Sequence, residues 1–252
     1  MEKSVEKLTN RSNPISKHVK KLGTDRSYRE GHKQFLCDGE KLLNEALAAG
    51  VEIEIVITSK QLEQDFPQET RVFHATNDLI DSLSPLKNSQ GLLFTCKIPQ
   101  PGDCDFLTGT HILLDNIRDP GNVGTIIRTA NAFGIKSIIL TENSADIYNP
   151  KTIRATMGAI FKQNIFIMNL EEINKLKQAG AHFTGTSNDI SSDDITKVNI
   201  TNSIIIFGNE GQGISEELHN LCNSMVRIPL SDDCESLNVA IAAAIIMWEC
   251  QK

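Results

Sequence analysis

Apolar and polar positions along this chain follow two rhythms, and the places where the rhythm changes divide it. From Ile15 to Gly50 the spacing is helical. A basic stretch carrying Lys17, Lys20, Lys21, Arg26, Arg29 and Lys33 runs into GEKLLNEALAAG, whose apolar stripe closes on Gly50. Residues 51–58, VEIEIVIT, alternate apolar with acidic positions and predict a strand. A short helix over QLEQDF, a strand over RVFHAT, a helix over NDLIDSLS and a strand over QGLLFTCKI follow. Then PQPGDCD, residues 99–105, gathers two prolines, a glycine and two acids, which predicts a linker.

Beyond it the alternation is regular. Strands are predicted at 111–115, 137–141, 164–168, 182–186, 203–207 and 225–229, and helices at 122–133, 151–159, 171–179, 215–222 and 237–249. Short β-rich runs alternating with helices predict an α/β fold on a parallel sheet covered on both faces. Residues 1–14 have no such rhythm and are expected to form a disordered arm. The resulting division is an arm at 1–14, a small α/β domain at 15–98, a linker at 99–105 and a larger α/β domain at 106–252. The last helix, LNVAIAAAIIMWE, is apolar nearly all round, so it is expected to be buried on more than one side. It has too little polar surface to face water in a monomer, which predicts a homodimer.

Composition sets limits. The chain has 252 residues, 40% hydrophobic and 23% charged, an ordinary globular balance. No run approaches the ~20 apolar residues of a membrane span, and the N-terminus has no apolar core of a secretory signal. Six cysteines without a C-x-x-C pair read as reduced thiols, with neither a zinc site nor disulfides, in a cytoplasmic protein. A net charge of −7 excludes a protein that coats nucleic acid non-specifically. Residues 1–36 nevertheless hold nine Lys/Arg against four Asp/Glu, while the remainder is acidic by 12 charges. That asymmetry fits either a phosphate-seeking segment or a solvated basic arm.

Three loops at predicted carboxyl ends of strands hold the polar density: NIRDPGNVGTIIR (116–128), GNEGQGIS (208–215) and PLSDDCESLN (229–238). Open α/β sheets bind ligands at that rim. Chain reversal in the first loop needs Pro120-Gly121 and little more, so Asn116, Arg118, Asp119, Asn122 and Arg128 call for a polar ligand. In the second, glycines around Glu210 permit close backbone approach. The glycines at 121 and 124 do not fit a dinucleotide fingerprint, and no P-loop is present.

The order DNIRDPGNVGTIIRTANAFG, IIIFGNEGQGIS, VRIPLSDDCESLNVAIAAAI resembles the three motifs of the SpoU family of RNA ribose 2′-O-methyltransferases, in the SPOUT superfamily. The resemblance covers about 106–252. It implies a domain with a deep trefoil knot that binds S-adenosylmethionine, preceded by a small α/β substrate-binding domain like residues 15–98. By the same resemblance Asn122, Arg128, Glu210, Ser236 and Asn238 are the catalytic set. Thr186, Gly208, Asn209, Gly211, Ile228, Leu237 and Asn238 would hold the cofactor, and Arg26, Arg29, Lys33, Arg118 and Arg154 would meet RNA. No metal is implied. The implied substrate is 23S-type ribosomal RNA, with transfer RNA second and an inactive RNA-binding protein as the non-enzymatic alternative.

The family assigns Arg128 as general base, yet guanidinium is effectively always protonated. Phosphate binding and electrostatic stabilisation of the developing alkoxide fit it better. Asn122 is also a natural N-cap for helix 122–133, and Ser236 for the last helix. Glu210 is read either as accepting hydrogen bonds from Asn122 or Asn238 and so holding the loops together, or as a solvated turn acid. Asp232 and Glu235 depart from the glycine and small residue often found in the third motif, which bears on loop conformation and on charge near the sulfonium. Lys151 is a further candidate for RNA contact, against a plain solvated helix face.

Overall fold

The structure is a computed structural model and describes residues 5–231 and 233–252. In chain order its first elements are β1 (Glu6–Lys7), α1 (Pro14–Thr24), α2 (Arg26–His32), β2 (Gln34–Asp38), α3 (Glu40–Ala48), β3 (Ile53–Thr58), β4 (Arg71–His74), α4 (Asn77–Leu83) and β5 (Leu92–Lys97). They are followed by β6 (His111–Leu114), α5 (Pro120–Ala132), β7 (Ser137–Thr141), α6 (Pro150–Thr156), β8 (Asn164–Met168), α7 (Leu170–Gln178), β9 (Phe183–Thr186), β10 (Asp193–Asp194), β11 (Ile204–Phe207), α8 (Glu216–His219), β12 (Ser224–Arg227) and α9 (Val239–Glu249).

Contacts group the chain into two compact units. One comprises residues up to Gln100 together with Asp146–Phe161; the other comprises Pro101–Ala145 and Lys162–Lys252. The first carries a mixed sheet in the order β1-β4-β3-β5-β2, parallel from β1 to β3 and antiparallel beyond. Its two faces are covered by separate apolar clusters. Alternate residues of one strand feed both: Ile55 and Ile57 point to one, Val56 to the other, as the pleat requires. The second unit is built on a seven-stranded, all-parallel sheet in the order β10-β12-β9-β11-β6-β7-β8. Its central strands β6, β7 and β11 are buried along their whole length except at Thr141, the mark of a parallel strand covered on both sides. The α/β fold expected from the alternation is therefore present.

Several expectations need correction. The arm is ordered from β1 onwards, because Glu6 and Lys7 pair with Phe73 and His74 and Leu8 is buried in the core. Residues 1–4 lie outside the described part. The helical stretch from Ile15 to Gly50 is interrupted by β2, an edge strand paired with β5 from Gln34↔Lys97 to Asp38↔Leu93. QLEQDF forms no helix; Leu62 and Phe66 pack against the core from irregular chain, and Pro67 disfavours helical backbone at Phe66. The predicted helix at 151–159 ends at Thr156, since Met157 (φ 51°) and Gly158 (φ 98°) are left-handed. This segment, assigned from sequence to the second domain, belongs to the first unit: Ile153, Tyr148 and Phe161 pack with Phe35 and Phe94.

The final helix is not buried all round. Val239, Ala243, Ile246 and Met247 face the interior, whereas Ile241 and Trp248 are more than half exposed. No helix among the described residues is long and apolar enough to cross a membrane.

Candidate functional site

The first polar loop leaves β6 through Asp115, a buried carboxylate. One of its oxygens accepts from the Ser215 amide (2.7 Å) and the other from Asn116 Nδ2 (3.0 Å). Asn116 sits at φ 55°, a conformation asparagine tolerates better than most residues, and its carbonyl accepts from Asn209 Nδ2 at 2.9 Å. Asp119 then caps α5 by accepting from the Asn122 amide, with Pro120 in the first turn. The cap expected of Asn122 is therefore filled by Asp119. This frees the Asn122 side chain, which donates through Nδ2 to Glu210 Oε1 at 2.7 Å.

The second loop doubles back on itself. Asn209 and Gly213 exchange both backbone hydrogen bonds (2.9 and 2.8 Å), and Asn209 Oδ1 accepts from the amides of Gly211 and Gln212. At Gly208 a Cβ would lie 2.1 Å from the Gly213 carbonyl carbon. Only glycine permits this approach of backbone to backbone.

The third loop ends in Asn238, which caps α9 by accepting through Oδ1 from Ala240 and Ile241, while Nδ2 donates to Asn122 Oδ1 at 3.1 Å. Asn238 thus takes the cap anticipated for Ser236. The chain Asn238 to Asn122 to Glu210 ties together the starts of two helices and the second loop, whose members are 116 and 88 residues apart in sequence. A fourth strand end joins in: Asn188 Nδ2 donates to the Glu235 carbonyl at 3.1 Å. Asp232 lies outside the described residues.

Beside this network is a cavity of about 430 Å³, within the ~300–1,000 Å³ usual for small-molecule sites. Thr186, Gly208, Asn209, Gly211, Ile228 and Leu237 line it, as do Glu210 and Ser236. Asn122, Arg128 and Asn238 do not. Its apolar walls include Val226, Val239 and Ile246, and its polar lining includes Ser187, Asn188 and His219, so it can take a ligand that has both apolar and polar parts. Among the described residues no cluster of His, Cys, Asp and Glu could hold a metal. Arg128 is exposed on α5, and neither it nor Arg118 has an ion-pair partner among the described residues.

The basic residues expected at RNA separate into two groups. Arg29 is buried, donating to the Leu22 carbonyl (2.6 Å) and pairing with Asp146. Arg154 donates to the carbonyls of Lys87 and Asn88 and lies 3.5 Å from buried Asp38. Both guanidiniums serve the first unit's own structure and are withdrawn from the RNA-contacting set. Arg26, paired with Glu30, and Lys33 are exposed, as is Lys151. Asp115 was missed from sequence. Its signal is a lone acid closing the apolar run HILL, where a buried carboxylate needs amide partners.

Residues 109–248 match the SpoU rRNA Methylase family, and residues 13–93 match the MRM3-like substrate binding domain. The chain is 30% identical over 250 residues to the 23S rRNA (guanosine(2553)-2'-O)-methyltransferase RlmP of Bacillus subtilis, covering 97% of this chain and 98% of that one. Its fold superposes on the crystal structure of an rRNA methyltransferase from Sinorhizobium meliloti with a TM-score of 0.88 at 30% identity, covering 98% of this chain and 97% of that one. An AdoMet-bound rRNA methyltransferase from the same organism gives 0.85 with the same identity and coverage. With three motif loops joined at one rim, a family match over more than half of its residues and a relative alike along almost its entire length, the chain belongs to the SpoU rRNA methylase family.

Proposed function

We propose that this protein transfers a methyl group from S-adenosylmethionine to a ribose 2′-hydroxyl of large-subunit ribosomal RNA. The observation that carries the reading is the Asn238–Asn122–Glu210 hydrogen-bond chain, which locks three loops at the edge of a small-molecule cavity. The relative of known activity methylates 23S rRNA at a ribose, and a structural neighbour binds AdoMet.

The cofactor supplies an electrophilic methyl on a sulfonium centre. Thr186, Gly208, Asn209, Gly211, Ile228 and Leu237 would hold it, the aliphatic side chains against its flat apolar part and the loop amides against its polar end. Asn238 holds the α9 start and Asn122 in register and stands outside the cavity lining. Glu210 fixes the second loop through Asn122, and Ser236 borders the same space.

A guanidinium cannot act as a general base in a protein, which leaves an electrostatic part for Arg128. Its role is to bind the target phosphate and to stabilise the alkoxide as the 2′-proton leaves to phosphate or solvent. Its guanidinium is exposed and has no ion-pair partner among the described residues, which supports that reading. Arg118, Arg26 and Lys33 are the further RNA contacts in this scheme. The proposal includes a knotted C-terminal topology, a homodimer and a cytoplasmic setting. The dimer reading is supported by the exposed apolar stripe of α9.

The test is methyl transfer from radiolabelled cofactor to protein-free ribosomal RNA and to transfer RNA. Label is expected in ribosomal RNA as alkali-resistant dinucleotides, the signature of a blocked 2′-hydroxyl. Label in transfer RNA alone, or cofactor binding with no transfer to any RNA, would overturn it.

A further inference from the structure

The first unit holds a concavity of about 370 Å³ whose walls include Arg11, Lys17, His18, Lys20, Lys21 and Tyr28. Helical periodicity puts Lys17 and Lys21 on the face of α1 turned away from its buried Val19 and Leu22, while His18 lies on the flank beside Leu22 and is half-buried. Among the described residues no carboxylate lines this space. Among the described residues none of its four cations has an ion-pair partner, whereas Arg26, Arg71 and Lys97 of the same unit all pair with glutamates.

The floor is fixed. Gln34 donates through Nε2 to Glu54, which leaves its Oε1 to accept from His18 Nε2 at 2.8 Å. His18 Nδ1 is in hydrogen-bond contact with the Tyr28 hydroxyl at 3.0 Å. The Tyr28 ring is stacked on His32, 3.9 Å between centroids, and lies 5.1 Å from the Lys21 ammonium. That ring is already engaged, so the concavity offers charge rather than a free stacking surface. Cations gathered around a preformed hollow repel one another, and this repulsion is relieved when oxyanions enter. Scattered lysines on a solvated helix face have no such demand.

We propose that this concavity is a phosphate-binding subsite for the RNA substrate, with Lys17, Lys20, Lys21 and Arg11 contacting successive backbone phosphates. The proposal rests on the RNA methyl-transfer reading above. Contacts to phosphate set the register of a nucleic acid without reading its sequence, so the subsite positions the RNA and leaves the choice of nucleotide to other groups.

The test compares the full-length chain with Lys17→Gln/Lys21→Gln and with a charge-matched control, Lys41→Gln/Lys60→Gln, for binding to protein-free ribosomal RNA over a range of salt. The subsite variant is expected to lose about tenfold or more in affinity and to lower the salt slope by about 2, one for each phosphate contact removed. Lys17→Arg/Lys21→Arg should restore both, and cofactor affinity by calorimetry should not change. Equal losses in the subsite and control variants would overturn the subsite while leaving methyl transfer standing. An effect confined to intact ribosomal particles, with naked RNA bound normally, would assign the hollow to an acidic protein partner and overturn it too. Failure of the unaltered chain to methylate any RNA would remove the reading beneath it.

Discussion

Asn238 uses its two side-chain atoms for different tasks, and this lets structure and activity be separated. Oδ1 caps α9 and Nδ2 holds Asn122. Asn238→Ala removes both and should cost about 1 kcal/mol in chemical denaturation, the usual value of an N-cap. Asn238→Asp keeps the cap but sets oxygen against oxygen at Asn122. It should retain stability while single-turnover methyl transfer falls about a hundredfold, the scale of a small misplacement of reacting groups. Normal turnover in the aspartate variant would reduce the relay to a structural cap. Gly208→Ala should open the second loop and abolish cofactor binding in calorimetry, because its methyl group would occupy the Gly213 backbone. The identities of these residues and the bond from Asn122 to Glu210 were readable from the motif loops, but which side chain caps each helix was not. Asp119 and Asn122 are both competent caps in sequence, and only the placement of Glu210 decides which side chain is spared.

Whole elements carry the same lesson with a different cause. Strands β6, β7 and β11 announce themselves because burial on both faces demands unbroken apolar runs. β2 does not: QFLCD is short, sits at a sheet edge and follows a basic helical stretch, so its identity is set by pairing with β5. Arg29 is the clearest case of charge misread. In sequence it is one of nine basic residues in the first 36; in the fold it pairs, almost wholly buried, with a residue 117 positions away. Arg29→Met leaves the Asp146 carboxylate without its counter-ion and is expected to destabilise the protein by about 3–5 kcal/mol. Urea denaturation measures this, and unchanged stability together with weakened RNA binding would return Arg29 to the substrate surface.

At the scale of the molecule, the exposed stripe of α9 and two half-buried thiols make separate predictions. Ile241 and Trp248 are seven residues apart and so share a helix face. Trp248→Glu should convert a dimer to a monomer in sedimentation at micromolar concentration, and a wild-type monomer would remove the dimer from the proposal. Burial pushes the thiols of Cys222 and Cys250 up to about 11 from an ordinary value of 9.0. Unfolded chains ionise first, so the stability these groups contribute is complete below pH 9 and is lost as pH rises towards 11. Thermal denaturation across that window should fall less steeply in Cys222→Ala/Cys250→Ala than in the parent.

The return of Asp146–Phe161 to the first unit has a consequence for how this protein could be taken apart. A fragment ending at Gln100 would leave Phe35 and Phe94 without the covering of Tyr148, Ile153 and Phe161, and Arg29 facing no carboxylate. Such a piece should aggregate when expressed alone and recover solubility when a peptide spanning 146–161 is supplied. Grafting the amino-terminal half onto a different catalytic partner would need two splice points in the recipient rather than one.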